Sequence, residues 1–199
     1  MKIAIMGFGV VGSGVGELLI TNAKNIAKKA GDTIEVKYIL DLRDFPDSEY
    51  KCFTKDFNDI LNSDEITAVC VVTPSHTHYK FVKAMLEAGK HVYVEKPIST
   101  VAQEARDLAD LADSKGLVLM VGHLLLYHPA VNRLKMLVEE GVLGEIVYAQ
   151  SDRLNINYFK NDRSVMWDLA PHDVSMISYV LGKNPKRVLS AIGCSSDKN

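Results

Sequence analysis

Three side chains in this sequence have the types and positions needed to move a proton. Lys96 stands at the end of a short β-rich segment, between Glu95 and Pro97. Asp168 and His172 are four residues apart, a spacing that puts two side chains on one face of a helix. An imidazole can take a hydroxyl proton near neutral pH, a carboxylate can orient it, and an amine can stabilise the alkoxide that develops. These residue types are suited to the oxidation of a secondary alcohol, in which Lys96, Asp168 and His172 would be the catalytic residues.

Alcohol oxidation also requires a hydride acceptor, and a glycine-rich turn near the start of the sequence predicts one. Lys2–Met6 is typical of a short apolar strand, and Gly7, Gly9 and Gly12 follow it in the pattern GxGxxG. In this pattern the first glycine allows a tight turn, the second lets the backbone approach a pyrophosphate, and the third lets helix and strand pack closely. The helix that follows offers free N–H groups to phosphates. The turn therefore predicts a dinucleotide-binding site.

The residues after the second predicted strand bear on which dinucleotide binds. Ile34–Leu40 ends at Asp41, whose carboxylate would accept hydrogen bonds from the ribose hydroxyls of NAD. Arg43, two residues further, could instead pair with the 2′-phosphate of NADP, or lie in a solvated loop. Lys24–Asp32 is interpreted as a long connection before this strand. The sequence therefore predicts NAD or NADP without deciding between them.

Strands and helices alternate through the first part of the chain, which predicts a doubly wound α/β domain with a parallel Rossmann sheet over residues 1–122. Further strands are predicted at Ala68–Val72, His91–Val94 and Leu117–Val121, with helices at Tyr79–Ala88 and Val101–Ser114.

A second, truncated α+β domain is predicted over residues 123–199. Its predicted elements are a helix at Pro129–Glu140, strands at Glu145–Asn155 and Arg187–Cys194, and a helix from near Pro171 to Leu181. Pro171 is the reason for placing the helix start there, since proline disrupts a helix interior.

The block from Val71 to Pro97 resembles the glucose–fructose oxidoreductase/inositol dehydrogenase/MocA-like (Gfo/Idh/MocA) family of NAD(P)-dependent dehydrogenases. The shared order is strand, Thr73-Pro74, helix, Gly-Lys-His, strand, Glu-Lys-Pro. The segment Trp-Asp-Leu-Ala-Pro-His-Asp that contains Asp168 and His172 resembles the family's D-x-x-x-H active-site motif. The resemblance implies that the Thr73-Pro74 turn lies by the coenzyme and that Lys96 lies near the nicotinamide and the substrate.

The start of the chain has a second resemblance. Gly7–Leu19 and Ile34–Arg43 are similar to the nucleotide-binding segment of homoserine dehydrogenases, so the sequence is a mosaic that either natural divergence or a fusion would produce. Both families place a dinucleotide on the same loop.

These observations give one set of predicted binding residues. The expected coenzyme-binding residues are Gly7, Phe8, Gly9, Val10, Val11, Gly12, Asp41, Arg43, Thr73, Pro74, His78, Glu95, Lys96 and Pro97. The expected substrate-binding residues are Lys96, His123, Arg163 and His172, and no metal site is predicted.

Composition excludes several other classes of protein. The chain has 199 residues, 47% of them hydrophobic, a formal net charge of −2 and no basic block, so we expect no nucleic-acid partner. It has no run of apolar residues long enough for a transmembrane helix, and its three cysteines are scattered without CxxC spacing, as expected for thiols in a reducing compartment. We expect a cytoplasmic protein, and homo-oligomerisation through an exposed edge of the second-domain sheet.

The sequence leaves three functions open. The first is hydride transfer between NAD(P) and a secondary hydroxyl of a sugar, cyclitol or nucleotide-sugar. A non-catalytic dinucleotide-binding module or partner subunit is the alternative, because the second domain is short for the family. A homoserine-dehydrogenase-type reaction is the third, although Glu95-Lys96-Pro97 argues against it.

Overall fold

The computed structural model describes residues 1–152 and 165–189. The chain divides into two compact units, Met1–Gly122 and His123–Asn199. All strands found in the described residues lie in the first unit, and the described part of the second unit is helical.

The first unit alternates strands with helices along the chain. Its strands are β1 (Lys2–Met6), β2 (Glu35–Leu40), β3 (Phe53–Thr54), β4 (Ala68–Val71), β5 (His91–Val94) and β6 (Leu119–Val121). Its helices are α1 (Val10–Thr21), α2 (Ala23–Ala30), α3 (Asn58–Leu61), α4 (His78–Glu87) and α5 (Ala102–Ser114), with a 3-10 turn at Ser75–Thr77.

The strands form one parallel sheet in the order β3-β2-β1-β4-β5-β6. The chain builds outward from β1 to β3 and then returns to place β4 against the other side of β1. Met6 at the end of β1 pairs with Leu40 on β2 and with Val71 on β4. In such a sheet, ligands bind outside the carboxyl ends of the strands at the point where the strand order reverses. The sheet confirms the predicted doubly wound Rossmann fold.

The core lies on both faces of β1, which explains its continuous apolar sequence. Ala4, Ile5 and Met6 are fully buried. Ala4 and Met6 belong to a cluster with apolar residues of α4 and α5, whereas Ile5 packs in a second cluster around Phe8. This packing holds the carboxyl end of β1 rigid.

Two features of the first unit differ from the prediction. The presumed connection Lys24–Asp32 contains helix α2, because Ala and Lys are strong helix formers and Gly31, at φ +74°, supplies a left-handed C-terminal cap. The short elements β3 and α3 were not predicted, since two and four residues are too few for a periodic pattern.

The described part of the second unit contains a 3-10 turn (Leu124–Tyr127), α6 (Pro129–Glu139) and α7 (Val165–Leu181). The Tyr179 hydroxyl donates to Asn132 Oδ1 at 2.8 Å, and the Lys135 amine lies 4.8 Å from the centre of the Tyr179 ring. These contacts pack α7 against α6. Within residues 1–152 and 165–189, no helix is both long and apolar enough to cross a bilayer.

Helix α7 begins earlier than predicted. It includes Pro171 in its interior, and its first turn contains Asp168. The prediction gave too much weight to the one backbone hydrogen bond that a proline cannot donate. Packing of α7 against α6, with Val180 buried, outweighs that loss.

The strands predicted for the second unit do not form within the described residues. Residues 145–152 and 187–189 have no strand structure, and the rest of Glu145–Asn155 and Arg187–Cys194 lies outside the described residues. A strand exists through hydrogen bonds to a neighbouring strand, and these residues pair with no described segment.

Candidate active site

The turn between β1 and α1 is shaped by two glycines that admit no side chain. Gly7 has φ +95°, and a Cβ built on it would lie 2.8 Å from the Val72 carbonyl oxygen. A Cβ built on Gly12 would lie only 2.0 Å from the Gly7 carbonyl oxygen. The first and third glycines of the motif thus provide the tight turn and the close helix–strand packing that the sequence predicts.

The middle glycine faces open space. Gly9 is the N-cap of α1, and a Cβ built on it would have Arg43 Nη2, at 4.0 Å, as its nearest contact. Val10 and Val11 follow with exposed side chains, and the first turn of α1 holds no acidic residue. Free N–H groups and the positive end of the helix dipole favour an anion here. The turn therefore has the space and the donors that a pyrophosphate requires.

Phe8 has a structural role inside this turn. Its ring is buried and packs edge-on against Phe45 and Phe53, each at a centroid distance of 5.1 Å. Its backbone N–H donates to Asp41 Oδ2 at 2.7 Å. Phe8 therefore anchors the turn to the end of β2.

Asp41 and Arg43 form a bidentate ion pair just after the end of β2. Arg43 donates from its backbone N and from Nε to Asp41 Oδ1, at 3.0 Å each, and from Nη2 to Oδ2 at 2.9 Å. The Arg43 side chain holds the pKa of the Asp41 carboxyl well below its usual range, against the opposing effect of burial. Asp41 is therefore a carboxylate at neutral pH, fixed between Arg43 and the backbone of Phe8.

The Thr73-Pro74 turn after β4 is held by hydroxyl groups and by a buried histidine. Thr77 Oγ1 donates to the Pro74 carbonyl at 2.7 Å and lies 2.7 Å from Thr73 Oγ1. The ring nitrogens of His78 lie 2.8 Å from the carbonyl oxygens of Thr73 and of Pro97. At least one of these contacts is a hydrogen bond in any protonation form of the ring. His78 thus ties the loop after β4 to the loop after β5.

Replacing His78 by alanine should destabilise the fold. The side chain is 1% exposed, so its removal leaves a cavity and two carbonyl groups without their buried partner. We expect a loss of about 2–4 kcal/mol in the free energy of unfolding, measured by urea denaturation. His76→Ala is the matched control, because His76 is exposed in the same turn. Equal stability of the two variants would contradict the role of His78.

The Glu95-Lys96-Pro97 segment leaves β5 with its backbone held at several points. The Glu95 N–H donates to the Val71 carbonyl at 2.9 Å, and the Glu95 carboxylate accepts from the Lys96 N–H and from the Tyr93 hydroxyl, each at 3.2 Å. The Lys96–Pro97 peptide bond is cis, Pro97 is buried and Lys96 is half-buried. Glu95 therefore positions the backbone that carries Lys96.

Two residues that support the site were not identified from the sequence. A Cβ on Gly122, at the end of β6, would lie 2.5 Å from the Tyr93 hydroxyl oxygen and 2.8 Å from Glu95 Oε1. The centre of the Phe45 ring lies 5.1 Å from the Arg43 guanidinium carbon. Gly122 could have been identified from the sequence, because a glycine directly after a strand often marks a close approach. Phe45 could not, because a phenylalanine in a polar loop gives no sign of the residue that it contacts.

The other predicted site residues lie in the second unit. Asp168 and His172 are both half-buried residues of α7, although the predicted helix began only near Pro171, and His123 directly follows the end of the first unit. Arg163 lies outside the described residues. The joint action of Lys96, Asp168 and His172 stays a prediction. Among the described residues, no group of three or more His, Cys, Asp or Glu side chains could hold a metal ion.

Comparisons with known proteins agree with this geometry. The family described as "Oxidoreductase family, NAD-binding Rossmann fold" (Gfo/Idh/MocA) matches residues 1–123. The scyllo-inositol 2-dehydrogenase (NADP(+)) IolW of Bacillus subtilis is 31% identical over 207 residues, covering 96% of this chain and 54% of that protein. The structure of the putative oxidoreductase yvaA from Bacillus subtilis has a TM-score of 0.73 at 29% identity, covering 91% of this chain and 52% of its own.

A further solved structure that the chain resembles is a homoserine dehydrogenase. Homoserine dehydrogenase of S. aureus has a TM-score of 0.55 at 28% identity, covering 61% of this chain and 31% of that chain. This likeness agrees with the resemblance found in Gly7–Leu19 and Ile34–Arg43.

The chain belongs to the Gfo/Idh/MocA oxidoreductase family, and its first unit is that family's NAD-binding Rossmann domain. The chain spans about half the length of the curated relatives it matches.

Proposed function

We propose that the chain acts as an NAD(P)-dependent dehydrogenase that transfers a hydride between the coenzyme and a secondary hydroxyl of a sugar, cyclitol or nucleotide-sugar. The observation that carries the proposal is the β1–α1 turn, in which Gly7 and Gly12 exclude side chains while Gly9 stays open. NAD(P), when bound, supplies the hydride acceptor. The named relative IolW acts on a cyclitol, which supports the proposed substrate class.

The first unit would bind and orient the coenzyme. Backbone N–H groups of the turn at Gly9 and of the first turn of α1 would hold the pyrophosphate. The loops after β4 and β5, which carry Thr73-Pro74 and Lys96, lie at the same edge of the sheet as this turn, because all the strands are parallel. A nicotinamide bound along that edge would therefore reach Lys96.

The proton chemistry would use the second unit as well. His172 would take the proton of the substrate hydroxyl, and Asp168, one helical turn earlier on the same face of α7, would orient the imidazole. Lys96 would donate a hydrogen bond to the oxygen as it gains negative charge.

The test is a coenzyme-dependent assay on the whole chain. NAD⁺ or NADP⁺ is mixed with a panel of inositols, aldoses and UDP-sugars, and the absorbance of reduced nicotinamide is followed. We expect turnover of at least one polyol or sugar. If the chain binds coenzyme but turns over no member of the panel, the non-catalytic module replaces this proposal.

A homoserine-dehydrogenase-type reaction is the second candidate, because the structural likeness to that enzyme covers 61% of the chain. Homoserine is therefore included in the panel. Turnover of homoserine without turnover of any polyol would favour this candidate over the first.

A further inference from the structure

We propose that the Tyr93 hydroxyl is a positioning group for Lys96 that acts through the Glu95 carboxylate, and that Gly122 provides the space in which the two side chains meet. This inference rests on the proposed function, in which the Lys96 amine stabilises negative charge on the substrate oxygen. Tyr93 lies in strand β5, before the loop that carries Lys96, and it affects the reaction only through Glu95.

Tyr93 and Glu95 lie on the same face of the sheet. Side chains alternate along a strand, so residues two apart point the same way. Val92 and Val94 are buried in the cluster that includes residues of α4 and α5, whereas Tyr93 packs against the second cluster around Phe8. Glu95, the first residue after β5, therefore follows Tyr93 on the face of the sheet that is turned away from α4 and α5.

The Glu95 carboxylate joins the Tyr93 hydroxyl to the backbone of Lys96. The hydroxyl donates to Glu95 Oε1 at 3.2 Å, and the Lys96 N–H donates to Glu95 Oε2 at 3.2 Å. Each oxygen thus accepts from a different group, which fixes the rotation of a carboxylate that otherwise turns over a broad range. Without the Tyr93 hydroxyl, Oε1 loses this donor and the carboxylate can rotate away from the Lys96 N–H.

Gly122 makes the contact between these two side chains possible. Its N–H donates to the Val94 carbonyl at 2.8 Å, which fixes its position beside the end of β5. A Cβ built on Gly122 would lie 2.5 Å from the Tyr93 hydroxyl oxygen and 2.8 Å from Glu95 Oε1. Both of these atoms lie at the ends of side chains, so an added methyl group would push the side chains apart without separating the strands. Gly122→Ala should therefore break the same contact from the neighbouring strand.

The test measures kcat at saturating coenzyme, with the panel substrate that the unmodified chain turns over best. Tyr93→Phe removes only the hydroxyl, and Gly122→Ala removes only the space. We expect each variant to lower kcat by roughly 10-fold, because a displaced catalytic group loses part of its effect. Tyr50→Phe is the matched control, since Tyr50 is also half-buried and its hydroxyl donates to the Gly16 carbonyl at 3.0 Å. It should keep the kcat of the unmodified chain, and urea denaturation checks that every variant is folded.

A double substitution separates positioning of Lys96 from a general structural effect. If Tyr93 acts through Lys96, Tyr93→Phe lowers kcat in the unmodified chain but not in a Lys96→Met chain, whereas a general loss of structure lowers kcat of both chains by the same factor. The inference is overturned, and the dehydrogenase proposal left intact, if either single variant keeps the kcat of the unmodified chain or if the loss is the same with and without Lys96. Absence of turnover by the unmodified chain would overturn both.

Discussion

Lys96→Met should abolish most of the turnover while coenzyme binding persists. On the proposed function, the Lys96 amine donates to the oxygen that becomes negatively charged in the transition state, and a methionine keeps the length of the side chain without the donor. Loss of such a donor typically lowers kcat by about 100- to 1000-fold. The measurement is kcat with the best panel substrate, beside a fluorescence titration with the reduced coenzyme.

The structure supports the choice of this variant. The Lys96 backbone is held through its own N–H and through Glu95, so the substitution leaves these contacts in place. Lys80→Met is the matched control, since Lys80 is exposed on α4, and it should retain full turnover. If Lys96→Met and Lys80→Met have the same kcat, Lys96 is not a catalytic residue.

Gly12→Ala should disrupt the coenzyme site and the fold of the first unit together. The added Cβ would lie 2.0 Å from the Gly7 carbonyl oxygen and 3.1 Å from Val72 Cγ2. The first of these is a backbone atom of the turn itself, so the helix and the strand must move apart. We expect a loss of at least about 3 kcal/mol in the free energy of unfolding, measured by urea denaturation, together with loss of coenzyme binding.

The same helix provides the control for this substitution. A Cβ on Gly14 would meet nothing within 4 Å. Gly14→Ala should therefore stabilise the chain by about 0.5–1 kcal/mol, since alanine is the better helix former. Equal stabilities for Gly12→Ala and Gly14→Ala would show that the stability of the fold does not depend on the close approach of α1 to β1.

The sheet could be predicted from the sequence because each strand is specified by residues that lie within it or directly after it. β1, β4 and β5 are apolar runs that end at a glycine, a Thr-Pro turn and a Glu-Lys-Pro segment, and each run lies where it was predicted. Gly7 and Gly12 could be predicted for the same reason, since the constraint on each is a contact inside one strand–turn–helix unit. Periodicity and turn residues report such constraints directly.

Features that depend on partners distant in the sequence could not be predicted in the same way. The sequence offered Asp41 as a ribose ligand and Arg43 as a phosphate ligand, whereas their contact with each other depends on side-chain conformations and on Phe8. Helix α7 continues through Pro171 because of its packing against α6, which a rule about one residue does not include. The burial of His78 between two loops likewise requires the folded sheet.

The two outer strands of the sheet have a consequence for self-association. β3 has two residues and β6 has three, so each outer strand offers only a few backbone groups for pairing with a strand from another molecule. Very short outer strands are one way in which proteins prevent sheets from joining edge to edge and aggregating. The short outer strands therefore disfavour growth of this Rossmann sheet into a continuous intermolecular sheet.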